Sequence, residues 1–164
     1  NLSKNISFQV VDFQKGTLNN KFDLIIFTEV IEHLENDELA LKKVYNLLRD
    51  NGILIISTPS KNAPLYKVGL LKKFDKEVGH LRRYSLEDLK NKCKKNNFRI
   101  LESRKTEGIL RNFLFTNPKA GIFIKIINRI GGNLVTFIDK ISLVLFGESQ
   151  LFEEKKKNPN QGKI

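Results

Sequence analysis

The sequence contains no methionine and no tryptophan, and only one cysteine and two histidines among its 164 residues. The single cysteine, Cys93, excludes an intrachain disulfide and a C-x-x-C metal site, and we interpret it as a small core residue. Two histidines are too few for a metal site built mainly from histidine and cysteine, so no metal is predicted. An intact gene product normally begins with methionine, so the start at Asn1 predicts that a natural N-terminal part is missing.

Acidic residues are also scarce in relation to basic ones. The chain has 18 acidic against 29 basic residues, a formal net charge of +11. A compositional bias towards lysine explains this balance, and so does an anionic partner such as a substrate or a membrane surface. The lysines are spread along the chain without interleaved aromatics, so no nucleic-acid partner is expected. The first residues do not resemble a signal peptide. We expect a cytoplasmic protein, with peripheral contact at the inner face of the membrane as an open alternative.

Short apolar runs in the first hundred residues are typical of buried strands. The predicted strands are Ile6–Val11, Phe22–Phe27, Ile53–Ile56 and Phe98–Ser103. A helical pattern lies between the second and third of these runs. Strand, helix and strand in this order predict a βαβ crossover in a parallel α/β sheet.

Capping residues predict two helices. Asn36 or Asp37 can cap the first helix, and Asn51-Gly52 is expected to end it. Ser85 begins the second helix with a pattern that resembles a capping box. Between the third strand and this helix, residues 60–84 show no clear period, which is typical of a functional or mobile segment.

Residues 109–146 are unusually apolar. Two helical stripes are predicted there, joined by Gly131-Gly132, and neither reaches the ~20 uninterrupted apolar residues of a membrane span. They form either a helical cap packed on the core or a lid that lines an apolar acceptor pocket and rests on a membrane surface. Residues 155–164 are polar and are predicted to be a disordered tail.

Polar groups follow three of the predicted strands, where ligands bind in an open parallel sheet. They are Asp12, Thr28-Glu29 and Ser57-Thr58. The Asp12 carboxylate can accept a hydrogen bond from an exocyclic amine, and Phe13 can cover an apolar ring. The alternative is an aspartate that starts a turn beside a core phenylalanine.

Three segments carry a family resemblance when taken in order. They are FDLIIFTEVIEHL at 22–34, DNGILIISTP at 50–59 and GHLRRYS at 79–85. These segments resemble class I S-adenosylmethionine (SAM) dependent methyltransferases of the type 11/12 group. The resemblance implies a Rossmann-like, doubly wound, mostly parallel sheet whose reversed last strand falls near Ser149–Glu154.

The resemblance also implies a domain organisation. Residues 1–108 form a partial methyltransferase domain from the third strand onward, followed by the apolar insertion at 109–146, the last strand at 147–154 and the tail. The first two strand–helix units, about 60 residues, are expected to be missing together with their glycine-rich loop. The fragment alone is therefore expected to be inactive.

The same resemblance assigns candidate site residues. Asp12, Phe13, Thr28 and Glu29 match positions that bind SAM. His33 lies where the acceptor enters and is the candidate catalytic residue, unless it only fixes the loop before the helix. Glu32 and Glu35 are expected to be solvated or to cap the helix.

A second cluster is assigned to the acceptor. His80, Arg82, Arg83 and Tyr84 are candidate substrate-binding residues, because paired arginines bind carboxylates and phosphates. The alternative is ion pairing with acidic neighbours, of which Glu77, Glu87 and Asp88 are the candidates.

The predicted function is methyl transfer from SAM to a small-molecule acceptor, a class that includes lipid- and sugar-linked acceptors. The alternative is a non-catalytic remnant, or a module that docks on a membrane or partner. A short-chain dehydrogenase is disfavoured because the sequence has no Tyr-x-x-x-Lys pair. The sequence does not determine the acceptor or the oligomeric state.

Overall fold

The computed structural model describes residues 6–105 and 149–156, together with Phe137 and Ile141. Four strands form one sheet: β1 (Phe22–Thr28), β2 (Leu48–Pro59), β3 (Phe98–Lys105) and β4 (Ser149–Lys156). The helices are α1 (Asp37–Leu47), α2 (Pro64–Lys67), α3 (Lys72–Val78) and α4 (Leu86–Lys95), and a 3-10 turn spans Ile31–His33. The chain is thus an α/β protein, as predicted.

The sheet has the strand order β1-β2-β4-β3. β1 pairs with β2 in parallel, whereas β4 runs antiparallel to both β2 and β3. Three strands therefore share one direction and only β4 is reversed, in the manner that the resemblance implies for the last strand. β4 ends at Lys156, two residues inside the predicted tail.

One predicted boundary was wrong. The sequence placed Asn51-Gly52 at the end of the first helix, but α1 ends at Leu47 and both residues lie inside β2. Asn51 has φ 63°, and the register between β1 and β2 shifts at this point. The pair therefore forms an irregularity in the strand, where a Cβ on Gly52 would lie 2.9 Å from the carbonyl oxygen of Arg49.

The predicted strand Ile6–Val11 was also wrong, because the structure has no strand there. In a doubly wound sheet of order 3-2-1-4-5-6, the third strand pairs only with the second, and the fourth strand pairs with the first. The described residues contain neither neighbour. Phe8 is accordingly 94% exposed, and β1 forms one edge of the sheet with Leu24 and Ile26 exposed.

The two predicted helices are confirmed. The side chain of Asn36 accepts a hydrogen bond from the Leu39 amide at 2.9 Å, so Asn36 is the N-cap of α1. At α4, Ser85 and Asp88 form the predicted capping box through two reciprocal bonds of 3.1 Å. Within 60–84, where no period was recognised, α2 and α3 are short helices of four and seven residues.

The core lies between the sheet and helices α1 and α4. Its members are buried apolar side chains from these elements, and Cys93 is among them, as predicted. The fully buried residues include Leu41, Val44, Leu54, Ile56 and Leu89.

Three further predictions fall partly or wholly outside the described residues. They concern the apolar insertion at 109–146, the boundaries drawn around it and most of the polar tail. Among the helices that the structure describes, none is long and apolar enough to cross a membrane.

A buried carboxylate ties the helices to the segment before α4. Asp37, at the first position of α1, accepts a hydrogen bond from the Tyr84 hydroxyl at 2.6 Å. It also pairs with Lys92 at 3.0 Å and with Arg82 at 3.2 Å. Burial alone would raise the pKa of Asp37, but these donors outweigh burial and hold the pKa below its ordinary value.

We expect Tyr84→Phe to destabilise the protein at neutral pH by about 1–3 kcal/mol, because a buried carboxylate loses a donor. A group with a lowered pKa stabilises the fold above its unfolded pKa, near 3.9, and this stabilisation is lost as the pH falls through the folded pKa. The variant should therefore begin acid unfolding at a higher pH. The difference in unfolding free energy from wild type should shrink below about pH 4.

Urea unfolding between pH 3 and pH 7 measures both effects. Tyr66→Phe is the matched control, because the Tyr66 hydroxyl has no hydrogen bond in the part of the chain that the structure describes. Equal stability of Tyr84→Phe and wild type at pH 7 would contradict the role given to Asp37.

Candidate functional site

The carboxyl ends of β1 and β2 meet at one edge of the sheet, and polar groups from both strands contact each other there. The Ser57 hydroxyl donates to Glu29 Oε1 at 2.8 Å, and the Thr58 hydroxyl donates to Glu32 Oε2 at 3.1 Å. The Glu29 amide also donates to the Ser57 carbonyl at 3.0 Å. Two of the three polar groups predicted to lie together, Thr28-Glu29 and Ser57-Thr58, are thus brought together.

Glu29 has an unusual backbone for its residue type. Its φ is 53°, in the left-handed region that favours glycine. Such a conformation is maintained only where surrounding contacts impose it, and such residues cluster at functional sites. The bonds from Ser57 supply the constraint, and both Thr28 and Glu29 remain exposed at the crevice.

Glu32 was predicted to be solvated or to cap the helix, and the structure contradicts this. The residue is fully buried, and its Oε1 has no hydrogen-bond partner among the described residues. Burial, together with the nearby charge of Glu29, raises the pKa of the Glu32 carboxyl to about 7. One sequence signal could have identified it, since Glu32 lies three residues after Glu29 in the turn that follows the apolar run of β1.

The two histidines lie together although 46 residues separate them. Their ring centroids are 4.8 Å apart in an edge-on arrangement. His33 Nδ1 lies 3.1 Å from the Gly79 carbonyl oxygen, and His80 Nδ1 lies 2.8 Å from Asp75 Oδ1. Gly79 ends α3 with φ 79°, which orients the next residues towards His33. The predicted catalytic residue, His33, thus lies beside one of the predicted substrate-binding residues, His80.

Arg83 is buried and has a different partner from those expected. Its guanidinium binds Asp75 with contacts of 2.7–3.2 Å and lies over the Tyr66 ring, 4.9 Å from the centroid. Glu77, Glu87 and Asp88 are therefore not its partners. Hydrogen bonds from Arg83 and His80 outweigh the effect of burial and hold the pKa of Asp75 below its ordinary value.

Arg82 and Tyr84 have structural partners as well. Arg82 pairs with Asp37 and donates to the Glu35 carbonyl at 3.0 Å, and Tyr84 is 3% exposed with its hydroxyl on Asp37. The polar groups of Arg82, Arg83 and Tyr84 thus bind acidic residues of the fold and stabilise it. Of the four residues predicted to bind the acceptor, His80 lies nearest the catalytic candidate.

A cavity of about 300 Å³ lies beside this cluster, between α2, α3 and the segment before α4. It is lined by Tyr66, Lys72, Asp75, Lys76, His80, Leu81, Arg82 and Arg83. Lys72 and Lys76 have no salt-bridge partner among the described residues, so the cavity has an excess of positive charge. Neither lysine could be recognised from the sequence, because residues 60–84 show no helical or strand period that would predict which side chains line a cavity.

Asp12 and Phe13 lie in a separate turn. Asp12 Oδ1 accepts bonds from the Gln14 and Lys15 amides at 2.9 and 3.1 Å, as the turn-starting alternative predicted. These bonds lower the pKa of the exposed carboxyl, and Oδ2 has no hydrogen-bond partner among the described residues. Lys43 of α1 donates to the Phe13 carbonyl at 2.7 Å, which fixes the turn on the helix.

Phe13 packs against the core with part of its ring and leaves the rest of the ring at the surface. Its ring centroid lies 5.4 Å from that of Phe27, and its ring is half-buried. A free carboxylate oxygen beside an aromatic ring fits an exocyclic amine on a flat heterocycle. The residues present therefore fit the adenine end of SAM, and Thr28 and Glu29 remain open at the strand end.

Comparison with known proteins places this geometry in a family. A family model described as "Methyltransferase domain" matches residues 3–103. The ubiquinone biosynthesis O-methyltransferase of Glaesserella parasuis is 40% identical over 68 residues, which are 38% of this chain and 29% of that protein. Malonyl-[acyl-carrier protein] O-methyltransferase 2 of Ilyobacter polytropus is 28% identical over 131 residues, which are 79% of this chain and 48% of that protein.

Solved structures share the fold. The N-methyltransferase NodS of Bradyrhizobium japonicum, solved with S-adenosylhomocysteine, superposes with a TM-score of 0.51 at 12% identity. The superposition covers 90% of this chain and 53% of NodS. The chain spans less than half the length of the curated relatives it matches. The family match over most of the described residues, with its Rossmann-like sheet, shows that the chain belongs to the methyltransferase domain family, class I.

Proposed function

We propose that this chain forms the acceptor side of a SAM-dependent O-methyltransferase that acts on a small molecule. The observation that carries the proposal is the polar cluster at the ends of β1 and β2, where Glu29, Glu32, His33 and His80 meet beside a cavity. The two curated relatives are both named O-methyltransferases, which supports oxygen as the acceptor atom.

SAM supplies an activated methyl group on sulfur, so the protein has to bind, orient and exclude water. In this chain, Asp12 and Phe13 would hold the adenine, and the exposed side chains of Thr28 and Glu29 would face the methionine part. The rigid backbone at Glu29 supports this arrangement, because Ser57 fixes both its amide and its carboxylate.

We propose that His33 contacts the acceptor hydroxyl and promotes the loss of its proton. A carbonyl oxygen only accepts hydrogen bonds, so the contact with Gly79 places the proton of His33 on Nδ1 and leaves a lone pair on Nε2. That lone pair can take the hydroxyl proton directly or act on it through a bound cation. As the acceptor oxygen bonds to the methyl carbon, the methyl–sulfur bond breaks and neutral S-adenosylhomocysteine leaves.

We further propose that the acceptor carries a carboxylate or phosphate group. The cavity beside His80 holds Lys72 and Lys76, whose charges are not balanced by carboxylates among the described residues. Arg82 and Arg83 are occupied by Asp37 and Asp75, so the two lysines are the cations that can bind an anionic group.

We expect His33→Asn to lower kcat by about 100-fold or more in the full-length protein, because proton transfer at the acceptor is lost. The dissociation constant for SAM should stay unchanged, since His33 lies on the acceptor side. A methyl-transfer assay with calorimetry of SAM binding measures both quantities. An unchanged kcat would remove His33 from the reaction.

We expect Asp12→Ala to weaken SAM binding about tenfold, the loss associated with one charged hydrogen bond. Asp12→Asn separates the two roles of this residue, because it keeps an acceptor for the turn and loses the charge. Calorimetry on the full-length protein measures the binding, with Asp23→Ala as an exposed aspartate control. Full affinity in both Asp12 variants would exclude Asp12 from the cofactor site.

The Lys72→Gln, Lys76→Gln double variant should raise KM for an anionic acceptor about tenfold and leave kcat within a factor of two. Each lost ion pair of an exposed lysine costs roughly 0.5–1 kcal/mol, so the two losses together account for a change of about this size. Lys73→Gln is the matched control, because Lys73 pairs with Glu77 outside the cavity. Steady-state kinetics check the prediction, and an equal rise of KM in the control would contradict it.

A further inference from the structure

We propose that Glu32, His33 and His80 form a binding site for a first-row divalent metal ion, in the class of zinc or manganese. One ligand atom from each of these residues lies within 4.8 Å of the other two. The sequence predicts no metal, because two histidines and one cysteine do not make a site. The buried Glu32 supplies a third ligand beside the two histidines. The role of the ion in catalysis rests on the proposed function, but its binding does not.

One oxygen of the buried Glu32 carboxylate is left unsatisfied. Thr58 satisfies Oε2, whereas Oε1 has no hydrogen-bond partner among the described residues and the side chain is fully buried. Leaving such a group unpaired costs free energy comparable to a lost hydrogen bond or more. His80 Nε2 is 3.9 Å from Oε1, too far for a hydrogen bond. A metal ion between these two atoms would satisfy both.

The hydrogen-bond partners of the two histidines also favour a bound metal ion. A histidine that binds a metal donates its other ring N–H to a carboxylate or a backbone carbonyl, which fixes the tautomer. His80 Nδ1 lies 2.8 Å from Asp75 Oδ1, and His33 Nδ1 lies 3.1 Å from the Gly79 carbonyl oxygen. Both rings therefore carry the partners that a metal-binding histidine uses. Nε2 of each ring keeps its lone pair for the ion.

The geometry and the ligand types limit the choice of metal. Ligand atoms at about 2.1 Å from one ion in a tetrahedral site lie about 3.4 Å apart. Ligand atoms of this cluster lie up to 4.8 Å apart, so the side chains have to move towards each other by about 1 Å to hold an ion. Two imidazole nitrogens and one carboxylate oxygen suit zinc and its first-row neighbours, whereas magnesium and calcium prefer oxygen ligands. His33 is exposed, so one side of the ion stays open for water or an acceptor.

A bound ion would explain how the acceptor is activated. An acceptor oxygen bound to the ion loses its proton to solvent more readily, because the positive charge stabilises the anion. That oxygen then bonds to the methyl carbon of SAM, and the electron pair of the broken carbon–sulfur bond stays on sulfur. In this arrangement His33 acts on the hydroxyl through the ion.

The test is metal binding to the full-length protein, freed of metal by a chelator and measured without SAM or acceptor. Zinc titrated by calorimetry should bind at one site per chain, and cobalt should give the visible absorption of a site with nitrogen ligands. Glu32→Gln should weaken zinc binding at least tenfold. Glu35→Gln, an exposed glutamate three residues away, is the matched control and should bind as wild type does.

Removing a buried carboxylate can also unfold the protein, so His33→Asn gives a second measure at an exposed position. It should weaken zinc binding at least tenfold with an unchanged circular dichroism spectrum. No zinc binding by wild type, or full affinity in His33→Asn, would overturn the proposal. Methyl transfer without metal binding would overturn only this inference, and metal binding without methyl transfer would overturn only the proposed function.

Discussion

The hydroxyl groups at the end of β2 hold the two carboxylates that follow β1, and the arrangement of the whole site depends on this contact. Parallel pairing aligns Thr28 with Ser57, so both strands end at the same edge of the sheet. Ser57 then reaches Glu29, and Thr58 reaches Glu32. Ser57 and Thr58 are successive strand residues on opposite faces of the sheet, so a shift of one residue in this register would exchange their faces and break both contacts. The irregularity at Asn51-Gly52 lies at the other end of the pair and leaves the register at the site undisturbed.

A second layer of contacts positions the histidines. Asp75 of α3 binds Arg83 and His80 together, and the buried guanidinium and the carboxylate compensate each other's charge. The chain reversal at Gly79 places a carbonyl oxygen beside His33. The segment between β2 and α4 therefore lacks a clear helical period for a physical reason. Its conformation is fixed by charged contacts and by two left-handed glycines, Gly69 and Gly79, and these features leave no helical period in the sequence.

The basic residues of this segment divide into two groups with different roles. Arg82 and Arg83 neutralise Asp37 and Asp75 and stabilise the fold, whereas Lys72 and Lys76 line the cavity without a carboxylate partner among the described residues. Net charge alone therefore says little about where an anion binds. The position of the acidic partners decides it, because the buried carboxylates occupy the cations that lie next to them.

The sequence by itself determined the fold class, the family and the elements with strong local signals. Helix α1 and the capping box of α4 follow from local spacing, and strands β1 and β2 follow from their apolar runs. These predictions succeeded because their causes lie within a few residues. The extent of β2 was misjudged, since the pairing with β1 overrides the helix-stop signal of Asn51-Gly52.

Only the tertiary structure decided which polar residues form the site. Glu32 and His33 are neighbours in sequence, yet one is fully buried and the other exposed, because Thr58 and Gly79 contact them from distant segments. The roles of Arg83 and Tyr84 were equally hidden, because their acidic partners lie 8 and 47 residues away. Ile6–Val11 shows the same limit, since a strand needs a neighbour to pair with and a local pattern cannot supply one.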